Sequence, residues 1–487
     1  MANQKPLNFI FFQPDEMRAE SLGCYGHPLI KTPNYDRLAA EGVRFDQCHV
    51  QNAQCTPSRV SMMTGLYPHC AGHRSMWHLI RPHEPHLFKY LHEAGYDIHW
   101  FGKNDMLAPG SLSCIKEYYE HIDDKRKNRW QSGDKEFYSF DYLPLDCERE
   151  EVADYVKVKS GIDFLRNRND DDNPFFLFLP LLQPHPSYTT HPDFYDMYDP
   201  KDIPDLRPPD LDKKPDFYTL IRKYRRLDEL PDAFFRKLNA AYLGMISFTD
   251  WLLGELMAVM EEKGLFENTV LIVSSDHGDW AGDYGLVEKW PSDYSDTLTH
   301  VPLLVKAPGN KAGHVVEGPV EMFDLMPSVL ELAGLSPTHT HFARSFVPQL
   351  HGEAEDKDRL VFAEGGYEPQ EPHVFEGRWD WWNNPRQESI YLPKGKLQQE
   401  VPESVCRTTM IRSLNHKLIR RTGGQDELYD LENDPRELKN LIDDPGMQET
   451  KSDLESAMLD WFMRTSDTVP VGGDPRGFPL EKMEMKK

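Results

Sequence analysis

The chain has 487 residues, with 80 Asp and Glu against 55 Lys and Arg and a formal net charge of −25. Its length calls for one large domain plus a smaller one, and its ordinary hydrophobic content excludes a disordered chain. No basic face for nucleic acid is visible, and seven cysteines at irregular spacing fit neither a disulfide framework nor a zinc knuckle, so reduced thiols are expected.

The opening MANQKPLNFIFFQPD shows no secretory signal, which predicts a cytoplasmic protein. Residues 7–13 (LNFIFFQ) read as a buried strand running into Asp15-Glu16. Thr32-Pro33 opens a helix that Gly42 closes. The stretch QNAQCTPSRVSMMTG follows, with Cys55 just ahead of Pro57 in the first turn of a helix. Residues 86–94 form a helix closed by Gly95, and 96–101 the strand after it. Residues 121–150 are a polar, charged insertion. Residues 175–182 (FFLFLPLL) are the longest apolar run. They suit a buried strand ending at Gln183-Pro184-His185 and fall short of a bilayer span, so no membrane contact is expected.

The basic run Arg222-Lys223-Tyr224-Arg225-Arg226 reads as a solvated helix face. A long amphipathic helix spans 232–263 with Gly264 as its C-terminal cap. Residues 269–275 (TVLIVSS) are a β-branched strand running into Asp276-His277, 301–306 another strand, and 320–333 a helix ended by Gly334. This alternation predicts an α/β domain over residues 1–355, a large mixed sheet sandwiched by helices. Short strands at 359–363, 407–412, 417–421 and 427–431, with a closing helix at 449–464, predict a smaller C-terminal subdomain over 356–487. Residues 365–400, rich in Trp, Tyr and Pro, read as a long loop.

Reactive groups collect at strand ends, where sites form in open α/β sheets. Asp15, Glu16, Asp276 and His277 make an oxygen-rich set with one imidazole, suited to a hard divalent cation such as Ca²⁺ or Mg²⁺. Singly, such acids also serve as helix caps. Cys55 near a helix N-terminus has three readings: a small buried residue, a thiolate nucleophile with His49, His69 or His73 as base, or the raw material for a modification.

Cys55-Thr56-Pro57-Ser58-Arg59 resembles the C-x-P-x-R modification signature of the formylglycine-dependent (type I) sulfatases, with Thr64-Gly65-Leu66-Tyr67-Pro68 continuing it. Asp15-Glu16-Met17-Arg18, Gly102-Lys103, Pro184-His185-Pro186, Ser275-Asp276-His277-Gly278-Asp279 with Lys289, and Glu427-Leu428-Tyr429-Asp430-Leu431 resemble further family motifs in the family's order. The resemblance implies an alkaline-phosphatase-like fold. It implies that a formylglycine-generating enzyme oxidises Cys55 to Cα-formylglycine, whose hydrate attacks a sulfate ester. It implies that Asp15, Glu16, Asp276, His277 and residue 55 hold the cation, that Arg59, Lys103 and Lys289 surround the sulfate, and that His185 helps protonate the leaving alcohol.

The chain departs from the family at two places. Glu16 stands where many members carry Asp, and Asp105 stands where many carry a His, which leaves Asp105 or His73 as the base for the second hydroxyl. Thr299-His300-Val301-Pro302-Leu303 resembles iduronate sulfatase and related uronate-directed enzymes, implying His300 at a sugar or oligosaccharide sulfate of the glycosaminoglycan or marine-polysaccharide kind. Trp379, with Trp381 and Trp382, would stack on the sugar or pin the loop. The rival is a phosphonate monoester or phosphodiester hydrolase with the same site, against which Lys103 speaks, because those relatives tend to lack the Gly-Lys element.

Overall fold

Near-continuous apolar runs are what strands buried on both faces require. In the computed structural model, which describes residues 5–120, 125–169, 171–353, 355–376 and 389–469, they form the middle of a large sheet. Its strands are β1 (Asn8–Asp15), β2 (Val43–His49), β3 (Asp97–Phe101), β4 (Glu117–Tyr119), β5 (Phe175–Pro184), β6 (Thr269–Ser274), β7 (His300–Lys306), β8 (His314–Val316) and β9 (Val320–Glu321). The order is β4-β3-β5-β1-β6-β7-β2-β8, with β9 beside β2. β7 runs antiparallel to both its partners and the other pairs are parallel, so the sheet is mixed.

β1 lies between β5 and β6, and all of β1 and β6 is buried. Alternation sends Ile10 and Phe12 into the core shared with the helix Asp232–Glu262, and Phe9 and Phe11 into the core shared with the helices Cys55–Thr64 and Leu325–Leu332. The three strands expected to end in reactive groups are therefore adjacent and parallel, so their C-terminal ends emerge together.

Four expectations change. The helix Asp232–Glu262 is long and apolar enough to cross a membrane, although no uninterrupted apolar run reveals it; 78% of its most apolar window is buried inside the protein. Residues 320–333 divide into β9 and the helix Leu325–Leu332, parted by a turn in which the Glu321 and Asp324 side chains bond each other's backbone. The loop at 365–400 contains the helix Leu392–Glu400, which Pro393 opens and which lacks a clear apolar stripe. The basic run is only partly solvated: Arg225 is buried against Glu288 at 2.6 Å, while Arg222 and Arg226 pair at the surface with Asp210 and Glu229.

A second, antiparallel sheet holds β10 (Val361–Gly365), β11 (Thr408–Arg412), β12 (His416–Arg421) and β13 (Glu427–Asp430). The helix Gln448–Thr465 turns Leu454, Met458 and Trp461 inward, and the Trp461 ring stacks on Phe362 at 4.7 Å. Buried ions join this sheet to the first domain. Lys417, fully buried, pairs with Asp296 and with Glu437. Removing one partner of such a group leaves charge uncompensated. Lys417→Met is expected to lower unfolding stability by about 3–5 kcal/mol, read from the urea midpoint, and an unchanged midpoint would contradict this role.

Candidate active site

The helix Cys55–Thr64 is buried along its whole length and begins at the residue in question. Gln54 ahead of it is extended, its backbone N–H donating to Asn52 Oδ1 at 2.8 Å. Two residues of the first turns tie the helix to the end of β6. Ser58 Oγ donates to the Asp276 carbonyl at 2.5 Å, and Arg59 Nε donates to Asp276 Oδ2 at 2.8 Å. Cys55 Sγ then lies 3.2 Å from His277 Nε2, 3.6 Å from Lys103 Nζ and 3.8 Å from Asp15 Oδ1. A helix N-terminus should lower a thiol's pKa, but burial, followed by the Asp15 charge, pushes this one well above its usual value. The thiol is therefore neutral and a poor nucleophile as it stands.

Asp15, Cys55, Asp276 and His277 bring four ligand atoms within 4.8 Å of one another, all buried. His277 Nδ1 lies 2.8 Å from the Gly278 carbonyl, which places the proton there and leaves the Nε2 lone pair facing the sulfur. Two carboxylates, an imidazole lone pair and residue 55 fit a divalent cation. β1 ends at Asp15 and Glu16 turns out of it at φ 65°, so its carboxylate groups with Cys55 and His185 and meets Lys289, beside the Asp15, Asp276 and His277 set. Glu16 Oε1 meets Lys289 Nζ and lies 3.1 Å from His185 Nε2, and its buried Oε2 has no hydrogen-bond partner.

Cations surround this cluster. Lys103 Nζ is 2.7 Å from Asp15 Oδ2 and 2.8 Å from Asp105 Oδ2. Burial alone would raise the Asp15 carboxyl, but Lys103 and Arg59 hold it well below the usual range. Burial would likewise favour a neutral Lys103, but Asp105 and Asp15 keep the ammonium. Arg59 is fully buried; Nη2 lies 3.4 Å from Asp15 Oδ2, and Nη1 makes no hydrogen bond. Burial, then Lys289 and Lys103, holds His185 well below its ordinary pKa. Its Nδ1 is 2.5 Å from the Pro186 carbonyl, so the proton sits on Nδ1, and Nε2 accepts from Lys289 Nζ at 3.3 Å.

Two sequence candidates lie elsewhere. His73 spends both ring nitrogens, on the His78 carbonyl at 2.7 Å and on Glu84 at 3.1 Å, so it has no free nitrogen to act as base. His300 Nε2 bonds the Asp46 carbonyl at 2.7 Å and its ring stacks on His49 at 5.0 Å; it packs β7 against β2. Trp379 lies outside the described residues. Sequence reasoning missed the supports. Glu288, next to Lys289, is clamped by Arg225 and by Lys394 at 2.8 Å, and Tyr188 Oη donates to Asp279 at 2.7 Å. Asp154 holds the backbone N–H groups of Leu182 and Gln183, each at 2.8 Å, just before His185. These are long-range pairs with no local motif to reveal them.

The sequence model of the family described as Sulfatase matches residues 7–335. The multifunctional alkaline phosphatase superfamily protein PehA of Trinickia caryophylli is 26% identical, covering 94% of this chain and 93% of that protein. Iduronate 2-sulfatase of Mus musculus is 26% identical over 79% of this chain and 77% of its own length. The crystal structure of a phosphonate monoester hydrolase of Agrobacterium radiobacter superposes with a TM-score of 0.79 at 20% identity, covering 94% of this chain and 96% of that one.

Proposed function

The chain belongs to the sulfatase family and is a sulfuric ester hydrolase, and from that premise we propose that it acts on a sulfated carbohydrate with residue 55 carried as Cα-formylglycine. The observation that carries the reading is Arg59, one helical turn beyond Cys55, fully buried, with Nη1 making no hydrogen bond and Nη2 only 3.4 Å from Asp15 Oδ2. A buried donor left unmade is costly, and a sulfate monoester brings the anionic oxygens that satisfy it. The likeness to iduronate 2-sulfatase supports a sugar substrate.

When bound, a divalent cation, Ca²⁺ or Mg²⁺, would supply charge against a sulfate oxygen and lower the pKa of a hydroxyl on residue 55. Asp15, Asp276, His277 and residue 55 are the groups to hold it. A separate formylglycine-generating enzyme would supply the aldehyde, and its hydrate offers a nucleophilic hydroxyl and a second one for release of sulfate. Arg59, Lys103 and Lys289 orient the ester and offset its charge without competing as nucleophiles. Lys289, whose ammonium donates one hydrogen to the His185 Nε2 lone pair at 3.3 Å, is the group to give a proton to the leaving alcohol, and His185 holds it in place. Asp105, held on Lys103, is the carboxylate available to take a proton on the other side.

A phosphonate monoester or phosphodiester hydrolase would use the same Asp15, Asp276 and His277 set. The two readings separate on a panel of 4-nitrophenyl sulfate, hexose monosulfates, a phenyl phosphonate ester and a phosphodiester. Sulfate esters are expected to give the higher kcat/KM, and a chelator is expected to lower it by about 100-fold or more, as loss of charge stabilisation requires. Faster turnover of the phosphonate or phosphodiester than of every sulfate would reverse the assignment.

A further inference from the structure

Buried charges continue behind Lys289. Its chain neighbour Glu288 is buried, and each of its carboxylate oxygens has its own cation. Arg225 Nη2 donates to Glu288 Oε2 at 2.6 Å, and Lys394 Nζ donates to Glu288 Oε1 at 2.8 Å. Lys394, only 2% exposed, is also fixed from a second side. Its Nζ lies 3.0 Å from Glu376 Oε2, and Glu376 Oε1 accepts from Gln54 Nε2 at 2.7 Å, next to Cys55. Burial would raise the Glu288 carboxyl, but Lys394 and Arg225 hold it below its usual range. Lys394 lies beyond residues 7–335, the span that the family model matches.

We propose that Lys394 is a positioning residue for the reaction: by holding the Glu288 carboxylate, it keeps the Lys289 ammonium on Glu16 and His185, where the leaving alcohol departs. This role rests on the sulfatase reading, in which Lys289 gives that alcohol its proton. Glu288 and Lys289 are consecutive, so a shift of the one side chain moves the backbone that carries the other. Charge acts in the same sense. Without Lys394, Glu288 Oε1 is a buried carboxylate oxygen with no partner, which is costly, and it draws on the ammonium of the next residue. An ammonium drawn toward Glu288 leaves His185, and misplacing a reacting group by about 1 Å lowers a rate by about 100-fold. Lys394 itself touches neither the ester nor residue 55, so its effect is confined to the step that Lys289 serves.

The test compares phenyl sulfate, whose leaving group needs a proton, with 4-nitrophenyl sulfate, whose phenolate departs without one, on the metal-loaded, formylglycine-bearing enzyme. Lys394→Met is expected to lower the ratio of kcat/KM for phenyl sulfate over 4-nitrophenyl sulfate by about tenfold or more. Glu288→Gln is expected to lower it too, and the double variant no further than the larger single effect, because both act through one group. Lys417→Met, which breaks another buried ion pair, is expected to leave the ratio unchanged while it lowers stability. Should Lys394→Met not fold, Lys394→Gln, which keeps a donor without the charge, is expected to lower the ratio in the same way. A ratio unchanged in the folded Lys394 variant or in Glu288→Gln, single effects that multiply in the double variant, or an equal fall in Lys417→Met overturns the proposal. Lys289→Ala separates this role from the reading beneath it. If Lys289→Ala lowers the ratio and the Lys394 variant does not, only the positioning role fails. If Lys289→Ala keeps wild-type rates, or wild type hydrolyses neither ester, the reading of Lys289 fails and the positioning role falls with it.

Discussion

Cys55→Ala is expected to lower kcat for sulfate-ester hydrolysis by about 10⁴-fold or more, the scale of losing a covalent nucleophile. The surroundings of residue 55 support this. Its sulfur touches His277, Lys103 and Asp15 at 3.2–3.8 Å and is 1% exposed, so no other side chain can take its place. Alanine is smaller and removes only the Sγ partner of His277 Nε2, and thermal unfolding is expected to show that the fold survives. A packing role for Cys55 predicts a rate near that of wild type, and such a rate on 4-nitrophenyl sulfate would contradict the account.

Lys289→Ala is the second large effect, a loss of about 10²–10³-fold in kcat/KM. Burial favours a neutral amine here, but the Glu16 and Glu288 carboxylates oppose it and favour the ammonium. That charge faces both Glu16 Oε1 and His185 Nε2. Burial already pushes the Glu16 carboxyl well above its usual pKa, with Lys289 opposing. Without Lys289, Glu16 takes up a proton, and His185 loses the donor that supplies the leaving alcohol. Rates of the variant on aryl and hexose sulfates decide the matter, and values within a few-fold of wild type would remove Lys289 from the mechanism.

Much of the fold was legible because apolar runs ending in reactive residues have few other uses. LNFIFFQ before Asp15, FFLFLPLL before His185 and TVLIVSS before Asp276 read as strands, and the sheet places those three side by side. Arg59 is legible only through the resemblance of Cys55-Thr56-Pro57-Ser58-Arg59 to the family's modification signature, and the helix brings Ser58 and Arg59 to Asp276 beyond the end of β6. What escaped depends on partners far away in sequence. Arg225 reads as part of a solvated basic run until Glu288 is placed beside it, and Lys394 reads as loop until it reaches the same carboxylate. His300 sits in a segment that resembles uronate-directed enzymes, yet the pairing of β7 with β2 commits its ring to packing. The helix-terminus argument for a low thiol pKa failed because burial beside Asp15 outweighs the partial charge of one helix end.

The central claim is that residue 55 does not work as a cysteine. Trypsin releases residues 45–59 as one peptide that also carries Cys48, which serves as an internal control. After co-expression with a formylglycine-generating enzyme, denaturation and alkylation, mass spectrometry should show Cys48 alkylated and residue 55 as an aldehyde that resists alkylation. Active enzyme in which both Cys48 and Cys55 are alkylated throughout the sample would contradict the account.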